Sequence, residues 1–117
     1  MKTYIGTRFK DNSTQIMVHL SDGKSYPLDP RLDIADHSPS GQDWLGGSGS
    51  AQIAIGLLAS ARPTSTTGND FPFDFPFEDS YIVGEELVRK FPVNGFVISD
   101  DDINDAIAKS KQGQEND

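Results

Sequence analysis

Gln15-Ile16-Met17-Val18-His19-Leu20 decides how the first third of the chain is read. Ile16, Val18 and Leu20 alternate with Met17 and His19, the period of a half-buried β-strand. On its N-terminal side, Tyr4 to Phe9 is also enriched in β-branched and aromatic residues, and Asp11-Asn12-Ser13 supplies a turn. On its C-terminal side, Asp22-Gly23 marks a tight hairpin turn into Lys24 to Leu28. Pro27 and Pro30 end that run. The spacing predicts a three-stranded antiparallel meander over the first thirty residues.

Further along, residues 29–50 are punctuated by Pro, Gly, Ser and Asp and read as a long ordered loop. From Ala51 to Ala61 the only polar side chains are Gln52 and Ser60. A helix apolar nearly all round is a buried helix, so this segment, starting at Ser50, is the expected central helix. Gly56 lowers its propensity but permits close packing against the sheet. A polar loop over 62–70 leads to a four-residue repeat, Phe71-Pro72-Phe73-Asp74 then Phe75-Pro76-Phe77-Glu78. Asp79 to Phe91 reads as an amphipathic helix with Glu85–Arg89 and Glu86–Lys90 pairs. Gly95 to Ile98 is a short strand expected to join the meander. Ser99-Asp100-Asp101-Asp102 opens a last helix, with a serine cap and acids that suit the helix dipole. Ile103, Ala106 and Ile107 give that helix a narrow apolar stripe. The expected fold is α+β: a small antiparallel sheet on a buried central helix with two further helices. Residues 1–111 form one domain, and 112–117 read as a disordered polar tail.

The chain has 117 residues and a formal net charge of −8, of which −7 falls on residues 71–117. That distribution argues against direct binding to nucleic acid, which needs clustered Lys and Arg, and against an anionic membrane surface. The absence of cysteine excludes disulfides, thiol catalysis and thiolate metal sites and fits a cytoplasmic protein. No apolar run approaches the length that spans a bilayer.

The segment richest in chemistry runs from His37 to Gln52. Gly46, Gly47, Ser48, Gly49 and Ser50 stand immediately before the apolar helix. A helix N-terminus presents unpaired N–H groups and partial positive charge, so this loop can receive a phosphate or carboxylate, with Arg31, His37 and Trp44 as nearby contributors. The same residues serve equally well as structure. A buried helix must satisfy its first N–H groups, and Ser48 or Ser50 can do so as N-cap. The loop lacks the lysine of a P-loop and the spacing of a dinucleotide fingerprint. Trp44 is read as a core or lid aromatic.

These residues resemble a small bacterial and phage family known as domain-of-unknown-function family 6166. The resemblance is carried by Tyr4 and Gly6, by Leu28, Arg31 and Leu32, by His37, Ser38, Pro39 and Gly41, by Trp44, and by Gly46, Gly47, Ser48, Gly49, Ala51 and Gln52. Three departures stand out. The spacing from Trp44 to the glycines is one residue shorter than usual, Ser50 stands where a proline is usual, and Phe96 replaces a tryptophan. The resemblance implies one ordered domain and a mobile-element setting on phages or plasmids. It implies no reaction.

Other candidate chemistry is sparse. Asp33, Asp36 and His37 can be drawn as a carboxylate–imidazole cluster, although turn formation explains the aspartates more simply. His19 falls on the strand face opposite Ile16 and Val18, at the surface or rim. Asp100 to Asp102 lack the alternating spacing of a calcium loop. No catalytic residue, metal site or cofactor is assigned. In an extended segment, Phe71, Phe73, Phe75 and Phe77 share one face and Asp74 and Glu78 the other. They are either an edge packed on the core or an exposed patch marking an interface.

Three functional readings follow. The first is a non-enzymatic protein-interaction or accessory module, whose partner offers an apolar, basic-rimmed surface to Phe71, Phe73, Asp74, Phe75, Phe77 and Glu78. The second is a small-ligand or phosphate-binding domain using the Gly46–Ser50 loop. The third is an acidic mimic of nucleic acid that inhibits a DNA-binding enzyme. The oligomeric state is left open.

Overall fold

The alternation of residues 15–20 is realised as the second strand of a four-stranded sheet. The computed structural model describes residues 1–33, 43–45, 47–61 and 77–115. In chain order the elements are β1 (Thr3–Arg8), β2 (Thr14–His19), β3 (Ser25–Pro27), α1 (Gly47–Ala61), α2 (Phe77–Glu86), a 3₁₀ turn (Val88–Lys90), β4 (Gly95–Ser99) and α3 (Asp100–Glu115). The sheet order is β3-β2-β1-β4, antiparallel throughout. The expected α+β fold, with its meander and a later strand joining it, is therefore what forms, and that strand pairs with β1.

One sheet face makes the core. Tyr4, Ile16, Val18 and Phe96 are buried there in one cluster with Ile53, Leu57 and Leu58 of α1, Val83 of α2 and Ile103 and Ile107 of α3. Helix α1 is buried nearly all round, as its composition requires: Gln52, Ile53, Ala54, Ile55, Leu57 and Leu58 are all inaccessible. It packs against α2 and α3. The opposite sheet face carries Thr3, Ile5 and Thr7 of β1, and His19 sits there half-buried, as expected.

A polar network locks three elements together. The Tyr4 hydroxyl bonds Asp100 Oδ1 and, at 2.9 Å, Ser60 Oγ near the end of α1. Lys2 donates Nζ to the Ser60 carbonyl at 2.8 Å and its backbone N–H to Asp100 Oδ2 at 3.0 Å. Burial, reinforced by the Asp100 carboxylate, pushes the Tyr4 hydroxyl pKa well up. At the start of α3, Ser99 and Asp102 form a capping box. The Asp102 N–H donates to Ser99 Oγ, and Ser99 N–H donates to the Asp102 carboxylate at 2.9 Å.

Several boundaries differ from expectation, each for a physical reason. Helix α1 begins at Gly47, three residues before Ser50. Ser48 and Ser50 therefore lie within its first turns instead of capping it, and burial of Ser50 shows packing overriding weak propensity. Gly56 faces the connection leaving β3, not the sheet: a Cβ there would meet the Asp29 carbonyl at 2.7 Å. Strand β3 is shorter than predicted and includes Pro27 at its end. Phe77 and Glu78 are helical, so the extended reading of the Phe-Pro segment fails at these two residues. Pro76 immediately precedes them, and the acids Glu78 and Asp79 suit a helix start. The expected helix to Phe91 breaks at Leu87. The chain tightens into a 3₁₀ turn ahead of Pro92, with Lys90 N–H on the Leu87 carbonyl at 2.9 Å. Helix α3 continues to Glu115, through most of the segment expected to be a tail.

Candidate functional site

Among the described residues, Trp44, the turn at residues 47–50 and Arg31 occupy different surroundings. Trp44 is 1 % exposed and belongs to the core. Its indole N–H donates to the Pro92 carbonyl at 2.9 Å, and its ring meets Phe96 edge-on at 5.0 Å. Gly49 lies under the Asp43 backbone carbonyl, so closely that a Cβ could not be accommodated without movement. The glycine thus permits a strand of loop to cross the first turn of α1. Ser48 is exposed and Ser50 buried. Gly47 is the first residue of α1.

Arg31 lies elsewhere, in a cleft of about 210 Å³ lined by Lys2, Tyr26, Asp29, Gly56 and Ser60. That cleft borders the C-terminal half of α1, about 10 Å along the helix from Gly49. Arg31 adopts positive φ (58°). The turn is held by its N–H on Asp29 Oδ1 and by a two-pronged pairing of its guanidinium with Asp33, both contacts at 2.9 Å. Asp33, whose simpler reading in the sequence is a turn residue and whose alternative is a carboxylate–imidazole cluster, accepts this pair. His37, Gly46, Phe71, Phe73, Asp74 and Phe75 lie outside the described residues, as does Asp36.

Two features were not found from the sequence. The first is Arg8. Its side chain is only 6 % exposed and pairs with Asp43 at 2.9 Å. It also donates Nε to the Val93 carbonyl at 2.7 Å and Nη1 to the Asn12 carbonyl at 3.2 Å, and it lies 5.1 Å over the Trp44 ring. Hydrogen bonds from Arg8 hold the Asp43 carboxyl below the usual carboxylate range. Asp43 also caps the Leu45 N–H at 2.9 Å. The available signal was parity: Tyr4, Gly6 and Arg8 share a strand face, and an arginine on a core face needs a partner. Arg8 and Asp43 therefore clamp the loop entering α1 onto the sheet.

The second is a groove of about 690 Å³ between the end of α2 and α3. Its apolar lining is Leu87, Ile98 and Ala106. Its charged lining is Glu86, Asp102 and Asp105 against Lys109. The neighbouring Lys90 pairs with Glu86 at 3.3 Å. The arrangement places apolar contact beside three carboxylates and one lysine. Among the described residues no group of three or more His, Cys, Asp or Glu is arranged to hold a metal ion. Among them, too, no helix is long and apolar enough to cross a membrane.

A family model described as a family of unknown function, DUF6166, matches residues 4–109. No curated protein and no solved structure matches the chain.

Proposed function

This chain belongs to DUF6166, a family of unknown function, and we propose that it is a non-enzymatic protein-interaction module, an accessory protein that binds a basic, partly apolar partner in the cytoplasm. The observation that carries this reading is the α2–α3 groove, where Leu87, Ile98 and Ala106 lie among three carboxylates and one lysine. The placement of most of the chain's negative charge in residues 71–117 supports it. Such a field speeds encounter with a positive partner and repels nucleic acid. The Phe-Pro repeat, whose last two residues open α2, is a second source of apolar side chains in this reading. The alternative of a phosphate site at the start of α1 is weakened by the Asp43 carbonyl lying across Gly49.

The test is affinity capture from lysate with the wild type and Asp105→Lys, both checked for folding by circular dichroism. Asp105 is exposed, so the substitution leaves the core intact. A specific protein held by the wild type, lost by the folded variant and released by raised salt supports the reading. Equal capture by both, or capture of nothing, refutes it.

A further inference from the structure

Strand β4 ends the sheet, and among the described residues it pairs only with β1. The Asp100 N–H donates to the Lys2 carbonyl and the Arg8 N–H to the Asn94 carbonyl. In an antiparallel ladder, bonded and non-bonded pairs alternate. With the register Thr3↔Ser99 to Thr7↔Gly95, Phe96 and Ile98 therefore turn their backbone groups toward β1. Gly95, Val97 and Ser99 turn theirs outward. Two of the outward N–H groups are already satisfied: Gly95 donates to the Pro92 carbonyl at 3.3 Å, and Ser99 to the Asp102 carboxylate at 2.9 Å. Val97, between them, turns both N–H and C=O away from β1, and the residue is 67 % exposed among the described residues.

The sequence at the centre of the edge carries none of the usual protective residues. Residues 95–99 contain no lysine, proline or charge. Val97 also ends an apolar row across the outer sheet face. Pro27, Met17, Ile5 and Val97 stand opposite one another, one from each strand. On the inner face of the same strand, Ile98 opens into the acidic groove.

We infer that the β4 edge and the α2–α3 groove form one docking surface for an extended protein segment in which an apolar residue is flanked by lysine or arginine. The inference rests on the interaction-module reading and names the partner's chemistry. The segment adds as a fifth strand. The residue opposite Val97 exchanges two backbone hydrogen bonds with it and continues the apolar row. Its neighbours on either side point to the inner face, where Glu86 and Asp105 receive their cationic ends. Backbone bonds supply affinity, and the groove supplies selectivity for charge. Because the edge is short, the groove contacts are needed as well as the ladder.

The test uses the full chain and a fluorescein-labelled hexapeptide of alternating lysine and valine. Anisotropy is compared with an alternating glutamate–valine peptide and with the lysine–valine peptide N-methylated on a central valine. Hydrogen exchange at the Val97 amide is followed with and without peptide. Expected results are binding of the basic peptide, about tenfold weaker binding on N-methylation and with Asp105→Lys, and slowed exchange at Val97. Equal binding of the N-methylated peptide, or unchanged Val97 exchange at saturation, overturns strand addition while leaving the interaction module standing. No binding of the basic peptide up to about 1 mM also overturns the inference. The lysate capture with Asp105→Lys then decides the broader reading separately. Both peptide controls use the wild-type chain.

Discussion

Asp43→Ala removes the carboxylate that receives Arg8 Nη2 at 2.9 Å and Nη1 at 3.4 Å. The guanidinium stays behind on a side chain only 6 % exposed, keeping its contacts to Val93 and Asn12. A hydrogen bond involving a charged group contributes about 1.5–3 kcal/mol. Asp43 itself is 47 % exposed, so solvent screening places the loss toward the lower end. The Leu45 N–H loses its cap at the same time. The expected cost is about 2 kcal/mol, lowering Tm by roughly 6–10 °C for a domain of this length. Asp43→Asn keeps an acceptor oxygen and costs about half as much. Trp44 is the chain's single tryptophan and is buried beside Arg8, so its fluorescence reports urea unfolding directly. The pH dependence has a definite sign. The folded-state pKa of Asp43 is lowered by Arg8, so its contribution is complete above the unfolded value of about 3.9 and is lost as pH falls through the folded value. The gap between wild type and Asp43→Ala is therefore full near neutrality and closes in acid. A variant as stable as wild type at neutral pH, or a gap that persists unchanged in strong acid, refutes the clamp.

Tyr4→Phe deletes the hydroxyl shared by Asp100 and Ser60 and is expected to cost about 1–2 kcal/mol in urea denaturation. The raised folded-state pKa of Tyr4 adds stability that is complete below its unfolded value of about 10 and is lost as pH rises toward the folded value. Wild type should therefore show an alkaline loss of stability that the phenylalanine variant lacks. Gly49→Ala should destabilise by about 1–3 kcal/mol despite better helix propensity, because its Cβ meets the fixed Asp43 backbone. Ser48→Ala, on the exposed side of the same turn, should be close to neutral by thermal melt. Ser99→Ala breaks the capping box and should lower stability by about 1 kcal/mol, read by circular dichroism in a urea series.

The fold class, the meander, the buried central helix and the last helix start were legible because each rests on a local rule. Strand alternation put Ile16 and Val18 inside, an almost unbroken apolar run made α1 a buried helix, and Ser99 with Asp102 spelled out a cap. Local rules also gave the gross charge asymmetry that guides the functional reading. Tertiary structure decided the rest. Ser50 was placed at a helix end by its propensity, but burial drew it inside α1. Gly49 reads as part of an anion-binding loop and Gly56 as a place for close packing against the sheet, and both prove to be places where the Asp43 and Asp29 backbones approach the helix closely. Arg8 and Asp43 are separated by thirty-five residues, so only folding shows them as a pair. The same holds for the groove and the β4 edge. Which backbone groups face outward depends on pairing with β1, and Ile98, Leu87 and Ala106 meet only when three elements pack. Periodicity and capping are written in neighbouring residues. A site assembled across distant segments is fixed by packing.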